Sequence, residues 1–272
     1  MPELPEVEST LQGISPYLKG NTAKKCIIRS PKLRWPIPKN LNSLLAKQKL
    51  IDISRRGKYL LFSFTSGTMM MHLGMSGHVR IYPDGAPLPQ KHDHFDLIMQ
   101  NSCTLRYNDP RRFGSILFTT ADPYEHKLLS KIGPEPLGAK FNAKYLISKC
   151  RHSKRPIKTF IMDSHIVPGV GNIYANESLF SAGISPLTVT STLTIKQCQK
   201  LCKSIKSILK KSIKLGGTTL KDFTSADGKP GYFAQQLLVY GREAQNCSIC
   251  EEVLLGIKMS NRQTVYCPNC QT

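Results

Sequence analysis

The sequence is poor in acidic residues. Only 18 Asp and Glu stand against 38 Lys and Arg, which gives a formal net charge of +20 over 272 residues. A charge of this size indicates a polyanionic partner, most commonly nucleic acid; a membrane surface or an acidic protein is the alternative. No apolar run approaches the ~20 residues of a membrane span. The acidic start also lacks the basic segment and apolar block of a signal peptide. We therefore expect a cytoplasmic protein with no membrane segment.

Cysteine is used in a way that argues against a disulfide framework. The count of nine is odd, and no secretory signal accompanies it, which fits a reducing compartment. Five of these cysteines are scattered and are interpreted as small buried hydrophobes: Cys26, Cys103, Cys150, Cys198 and Cys202.

The other four cysteines have the spacing of a zinc site. Cys247 and Cys250 are separated by two residues, as are Cys267 and Cys270, with sixteen residues between the pairs. This pattern predicts one structural Zn²⁺ in a closed site that folds its module rather than catalysing. Between the pairs, 253–259 and 263–266 predict a β-hairpin with Ser260-Asn261-Arg262 at its tip. Arg262 would then point outward, either to a phosphate or base or simply to solvent.

The first residues carry the strongest chemical hypothesis. If Met1 is removed, Pro2 presents an α-amine, which titrates near pH ~8 and is partly neutral and nucleophilic. Its attack on a carbonyl-level carbon gives an iminium, an electron sink like a lysine Schiff base. Glu3 and Glu6 lie within one turn and could supply an acid or base. The alternative is an ordinary helix start, which also favours Pro and acidic residues. An apolar stripe supports a helix here: Val7, Leu11, Ile14 and Leu18.

The segment from residue 25 to 120 predicts an antiparallel β domain, a sandwich or barrel. Short alternating runs separated by turn signals indicate strands at 50–54, 59–64, 68–72, 79–82, 95–99, 104–107 and 115–119. Residues 41–50 predict one short helix.

Several loops of this half are candidate binding elements. Lys58 ends a basic cluster before a strand; it could hold a phosphate or act in catalysis, or merely protect a strand edge. Met75 lies between two glycines, where it cannot belong to a regular buried strand, so we interpret it as a binding residue rather than core filler. Arg111 and Phe113 share a tight turn, a combination suited to stacking on bases or wedging into a duplex. His92 is interpreted as a phosphate contact rather than a metal ligand, because no partner ligands have zinc-like spacing.

Beyond the Pro- and Gly-rich stretch 133–138 the pattern becomes helical. Helices are predicted at 141–150, 157–163, 172–182 and 194–215, and the last has a lysine-rich face that could simply be solvated. Gly169 and Gly171 precede one of these helices and offer backbone amides to an anion. A dinucleotide site is disfavoured because the third glycine is missing and a helix precedes the turn. We interpret this segment as a helical hairpin that grips a DNA backbone. Gly216-Gly217 is either a helix cap or the start of a mobile lid.

Together these motifs resemble the formamidopyrimidine-DNA glycosylases, bacterial enzymes that remove oxidised purines from DNA. The resemblance covers nearly the whole chain and rests on these stretches: 2–8, 72–77, 109–114, 169–175, 227–233, 239–242 and the four cysteines. It implies an α+β multidomain protein with an N-terminal helix, an antiparallel β-sandwich, a helix-two-turn-helix domain and a zinc finger. The expected domains are 1–132 (catalytic), 133–150 (linker and first helix), 151–240 (helix-two-turn-helix) and 241–272 (zinc finger).

The resemblance also implies the chemistry. Pro2 would attack C1′ of the damaged nucleotide while Glu3 protonates the sugar ring oxygen, and β- and δ-elimination would then cut the strand. Lys58 and Arg262 are the implied acids for the two eliminations, although an arginine with a pKa above ~12 is a poor proton donor and is better suited to holding phosphate. The remaining implied DNA contacts are the wedge Met75, Arg111 and Phe113, together with His92, Lys158 and Asn172. The expected partner is double-stranded DNA with oxidised bases or abasic sites, bound by a monomer.

Two other functions remain open at this point. The related endonuclease VIII branch prefers oxidised pyrimidines; Leu4, where that branch typically has glycine, and the Met75-Arg111-Phe113 set favour the purine branch. A non-catalytic, zinc-stabilised nucleic-acid-binding protein would keep the charge and the cysteines but would not need Pro2-Glu3.

Overall fold

The structure, a computed structural model, describes residues 1–218 and 232–272. The predicted lid beyond Thr218 and the 227–231 part of the motif lie outside the described residues. Chain contacts divide the protein into two compact units: Met1–Lys131 with Leu215–Tyr232, and Ile132–Lys214 with Phe233–Thr272. Among the described residues, no helix is both long and apolar enough to cross a membrane.

The first unit is built from two four-stranded antiparallel sheets and a leading helix. One sheet has the order β1-β6-β7-β5 and the other β2-β3-β4-β8. The helices are α1 (Leu4–Leu18) and α2 (Leu41–Leu45), and the strands are β1 (Ala23–Ile28), β2 (Leu50–Arg56), β3 (Tyr59–Phe64), β4 (Gly67–His72), β5 (His78–Tyr82), β6 (Asp93–Met99), β7 (Thr104–Asn108) and β8 (Ser115–Thr119). Apolar residues from both sheets and from α1 share one core, for example Ile14, Phe62 and Phe95. The predicted sandwich is thus confirmed.

Two local expectations in this unit are wrong. The helix predicted for 41–50 ends at Leu45, because Lys47 adopts a left-handed φ of 63° and Leu50 already begins β2. Strand β1 was not among the predicted strands, because its Lys24 and Lys25 are both exposed and interrupt the alternation of apolar and polar residues.

The second unit packs four helices against a C-terminal hairpin. Its elements are α3 (Ala143–Cys150), α4 (Ile157–Ile161), α5 (Asn172–Ala182), α6 (Ile195–Lys214), β9 (Leu255–Met259) and β10 (Arg262–Tyr266). Helix α3 begins where the Asn142 side chain accepts the Tyr145 N–H at 3.0 Å, an N-cap bond. The hairpin turn holds only Ser260 and Asn261, at φ values of 48° and 59°, so Arg262 is not in the tip but pairs with Met259 as the first residue of β10.

Candidate functional site

The start of α1 is fixed by the buried carboxylate of Glu6. One oxygen accepts the Glu3 backbone N–H at 2.8 Å, and the other accepts the Thr218 N–H at 2.8 Å. Gly217, at φ +84°, approaches so closely that a Cβ there would lie 3.1 Å from the Glu6 carboxylate. Pro2 and Glu3 are themselves buried. Glu6 therefore holds the segment that carries Pro2 and Glu3 in place, rather than offering a free acid.

Lys58 lies in the β2–β3 turn, next to a neutral histidine. Tyr59 pairs with His72 across the two strands, and the ring centroids are 4.7 Å apart. Burial, followed by the charges of Lys58 and Arg34, lowers the pKa of His72 to about 4. Its Nδ1 accepts the Gly74 N–H at 2.9 Å, so Nε2 carries the proton and can donate. The sequence analysis missed His72 as a functional residue, although it ends the strand paired with the one that follows Lys58.

Asp109 joins the two loops that were singled out in the sequence. It is completely buried, and its carboxylate accepts the Ser76 hydroxyl at 2.8 Å, the Tyr107 hydroxyl at 2.9 Å and the Gly114 N–H at 2.8 Å. The Arg111 N–H lies 3.3 Å from the same carboxylate. One side chain thus ties residues 73–77 to residues 109–114.

The two joined loops present the predicted wedge. Gly74 (φ +70°) passes so near the other loop that a Cβ would lie 2.4 Å from the Gly114 nitrogen. Met75 is half-buried, Arg111 is exposed, and Phe113 is 46% exposed. The Arg111 guanidinium lies 5.0 Å from the centre of the Phe113 ring, a cation–π distance. The structure places Arg111 and Phe113 together on one loop and Met75 on the loop tied to it.

His92 lies at the rim of a cavity of about 250 Å³ that Arg80 and Asn108 also line. Its neighbours in sequence are engaged inside the fold. Asp93 accepts the Asn108 side-chain amide at 2.8 Å, and the His94 Nε2 lies 2.9 Å from the Asp109 carbonyl oxygen. Of the three residues His92, Asp93 and His94, half-buried His92 is therefore the one that is available to a ligand.

In the second unit, Lys158 is a buried residue that links separate elements through hydrogen bonds. It is 0% exposed, and its ammonium donates to Asn172 Oδ1 at 2.7 Å, to the Gln263 carbonyl at 3.1 Å and to Thr264 Oγ1 at 2.6 Å. Asn172 in turn donates its side-chain amide to the Gln263 carbonyl at 2.9 Å. An ammonium with these bonds connects α4, α5 and β10.

Helix α5 anchors the C-terminal segment through two further side chains. Asn176 accepts the Val265 N–H at 2.9 Å. Buried Glu177 accepts the N–H groups of Leu238, Val239 and Tyr240 at 2.9, 2.9 and 2.8 Å. The Asn176 bond orients β10, whose first residue, Arg262, is exposed and lines a cavity of about 650 Å³.

The four C-terminal cysteines form a cluster that could bind a metal ion. Their sulfurs all lie within 4.8 Å of one another, and those of Cys250 and Cys267 are 3.4 Å apart. Tetrahedral zinc with Zn–S bonds of about 2.3 Å requires S–S distances of about 3.8 Å, so this donor set fits zinc. The backbone N–H groups of Ile249 and Cys270 approach cluster sulfurs at 3.5 and 3.3 Å. Such bonds favour the thiolate that a metal needs.

Comparison with known proteins gives the same result for both units. Residues 1–116 match the formamidopyrimidine-DNA glycosylase N-terminal domain, and residues 132–224 match the formamidopyrimidine-DNA glycosylase H2TH domain. A formamidopyrimidine-DNA glycosylase of Psychromonas ingrahamii is 53% identical over 272 residues, covering 100% of both chains.

Solved structures agree with the sequence matches. A Lactococcus lactis Fpg mutant in complex with Fapy-dG-containing DNA is 34% identical, with a TM-score of 0.92 and 100% coverage of both chains. A MutM structure in complex with DNA containing carbocyclic 8-oxo-G is 33% identical, with a TM-score of 0.91 and the same coverage.

Proposed function

The chain belongs to the formamidopyrimidine-DNA glycosylase family, and from this we propose that it repairs DNA through the α-amine of Pro2. It is a DNA glycosylase with AP-lyase activity that acts on oxidised purines. The observation that carries the assignment of the nucleophile is the buried, doubly bonded Glu6, which fixes the backbone next to Pro2.

We assign the first steps to Pro2 and Glu3. After Met1 is removed, the Pro2 nitrogen bonds to C1′ as the C1′–N bond to the damaged base breaks, and the base leaves with a proton. Glu3 protonates the ring oxygen, so the sugar opens to an iminium. The iminium withdraws electrons from C2′, and loss of the C2′ proton expels the 3′ phosphate. A second elimination expels the 5′ phosphate.

Lys58 and Arg262 are assigned to the two eliminations. In this proposal Lys58 serves the first leaving group and the His72 Nε2–H donates to a phosphate oxygen; the low pKa of His72 and its bond from the Gly74 N–H support a neutral imidazole with its proton on Nε2. Arg262 is exposed at the start of β10 and suits a phosphate contact, since its guanidinium does not release a proton.

The other contacts are assigned from their exposure. Met75, Arg111 and Phe113 fill the gap left by the extruded nucleotide. His92 and Asn172 contact phosphates. Lys158 acts through Asn172 and the hairpin, because its ammonium is buried. We further propose that the protein works as a monomer on DNA in the cytoplasm.

The metal in the cysteine cluster is proposed to be one Zn²⁺. Cys247, Cys250, Cys267 and Cys270 would hold it, and it would stabilise the fold around the hairpin without entering the reaction. Its contribution is to keep the strand that carries Arg262 in place.

Borohydride trapping on a duplex with 8-oxoguanine tests the nucleophile. The mature chain should give a covalent complex, and a chain carrying an N-terminal extension should give none. Full activity with the extension in place would refute the assignment of Pro2. Comparing excision of 8-oxoguanine with excision of thymine glycol separates the purine from the pyrimidine preference.

Glu3→Gln separates the two stages of the reaction. Removing the acid should abolish excision of 8-oxoguanine, while trapping on a preformed abasic site survives, because the aldehyde is already open there. Glu8→Gln is the matched control, since Glu8 lies on the same helix but pairs with Arg55 at 2.8 Å. Equal losses in both variants would contradict the role of Glu3.

A further inference from the structure

Helix α6 has one face made almost entirely of lysine. Its sequence from Ile195 to Lys214 contains no acidic residue. We define the lysine stripe as the exposed residues Lys196, Lys200, Lys203, Lys210, Lys211 and Lys214. Successive members are three or four residues apart with two exceptions: Lys203 and Lys210 are seven apart with exposed Ser207 between them, and Lys211 directly follows Lys210. At 1.5 Å per residue, the stripe is about 27 Å long.

The charge of the stripe is not neutralised within the described residues. The structure records no ion pair there for any of its six ammonium groups. One member, Lys200, approaches another part of the fold: its Nζ would lie 3.3 Å from a Cβ placed on Gly183, at the end of α5. Six like charges on one face repel each other, so this arrangement costs stability unless an anion neutralises it.

The stripe is separate from the candidate DNA contacts of its own unit. The opposite face of α6 packs on α5, where Tyr174 bonds Ser212 at 2.6 Å. Asn172 and Asn176 lie on another face of α5 and bond the hairpin that carries Arg262. Helix α5 therefore lies between the hairpin and α6. The stripe lies on the side of α6 opposite Ser212, and its member Lys200 reaches the end of α5, at Gly183.

We propose that the lysine stripe is a second, sequence-independent site for the phosphate backbone of duplex DNA, used in addition to the lesion site. A straight row of about 27 Å matches about eight base pairs of duplex, which presents a phosphate charge every ~1.7 Å along its axis. Lysine suits this task because it contacts phosphate as a flexible point charge without reading bases. DNA is favoured over other polyanions because the enzyme already acts on it. The site would bind a second duplex, or a distant part of the same duplex, while the lesion site scans DNA for damaged bases.

Counterion release gives the expected size of the effect. Each phosphate contact adds about 0.9 to the slope of log K against log salt. Five contacts would thus account for a change of roughly 500-fold in affinity between 50 and 200 mM salt.

The test uses the full-length, zinc-loaded protein with its lesion site filled by a short duplex that carries an uncleavable abasic analogue. A second, fluorescent 30-base-pair undamaged duplex is then added, and its binding is followed by anisotropy over a series of KCl concentrations. The stripe variant changes Lys196, Lys203, Lys210, Lys211 and Lys214 to Gln. The control changes five exposed lysines of the first unit to Gln and so has the same net charge: Lys24, Lys25, Lys39, Lys49 and Lys127.

We expect the wild-type protein to bind the second duplex and the stripe variant to bind it at least tenfold more weakly, with a salt slope lower by two or more. The control should stay within twofold of wild type, and excision from a short lesion duplex should be unchanged in the stripe variant, which also shows that it is folded. The proposal is overturned if the filled wild-type protein binds no second duplex, or if the two variants lose affinity equally. It is also overturned if the stripe affects binding to anionic lipid vesicles but not to DNA.

Discussion

Replacing Asp109 should uncouple the two loops of the wedge. In Asp109→Ala the Gly114 N–H, the Tyr107 hydroxyl and the Ser76 hydroxyl all lose their acceptor, in a site where Asp109 itself is completely buried. A buried donor without a partner costs about 1–3 kcal/mol, and the lost bonds to an ionised acceptor add to this. We expect the first unit to lose about 3 kcal/mol of unfolding free energy.

Asp109→Asn should be much milder. If the amide oxygen faces Gly114 and Tyr107, the amide NH₂ can donate to Ser76 Oγ, and the Arg111 N–H keeps its 3.3 Å contact with that same hydroxyl. The Gly114 N–H and the Tyr107 hydroxyl then keep their acceptor and only the Ser76 O–H loses one, so the loss should be about 1 kcal/mol, well below that of the Ala variant.

Urea denaturation monitored by tryptophan fluorescence measures this difference in unfolding free energy, and the signal comes from the first unit. Trp35 is the only tryptophan, and the N–H of its neighbour Arg34 donates to the Gly114 carbonyl at 3.0 Å. Excision of 8-oxoguanine by Asp109→Ala should fall at least tenfold, about 1.4 kcal/mol of transition-state stabilisation, whereas cleavage of a preformed abasic site should change less. Asp84→Asn, at an exposed turn, is the control. Equal stability of the Ala variant and the wild-type protein would refute the linking role of Asp109.

Three further predictions follow from single contacts. The pKa of His72 in the folded protein is about 4, below its unfolded value, so the unfolded chain takes up the proton first and stability falls as the pH drops from about 6.5. In urea titrations, the stability lost between pH 7 and pH 5 should be smaller by about 2 kcal/mol in His72→Gln than in the wild-type protein. An unchanged loss would contradict the buried neutral imidazole. Lys158→Met should weaken DNA binding without changing its salt slope, since the ammonium contacts Asn172 and the hairpin; a slope lower by about 0.9 would show that it holds a phosphate. Chelation should release one zinc per chain, measured with a metallochromic dye, and abolish DNA binding, as should Cys267→Ser; full binding by metal-free protein would contradict the structural role of the metal.

The sequence predicted best those features that depend on nearby residues. The cysteine cluster was identified from two short spacings, and helix α5 was predicted with its observed ends because Gly171 and Gly183 bound it. In both cases the decisive interactions lie within the motif itself, so no knowledge of the tertiary fold was needed.

Features that depend on distant partners were not predictable in this way. Lys158 looks like a solvent-exposed cation in the sequence, but its acceptors lie more than 100 residues away in the hairpin. Asp109 looks like an ordinary turn residue, yet one of its partners, Ser76, is 33 positions earlier. Sequence periodicity carries no information about which distant donor will meet a buried acceptor.

The bond between Glu6 and the Thr218 N–H has a consequence for biosynthesis. A ribosome must add more than 200 residues after Glu6 before this partner exists, since the bond joins positions 212 apart. Sheet pairing from β1 to β8 needs nothing beyond Thr119, so most of the N-terminal architecture can form early during translation. The bond that supports the proposed Pro2 nucleophile, by contrast, forms only near the end of synthesis. A nascent or truncated chain would thus carry a basic surface before this support for Pro2 is in place.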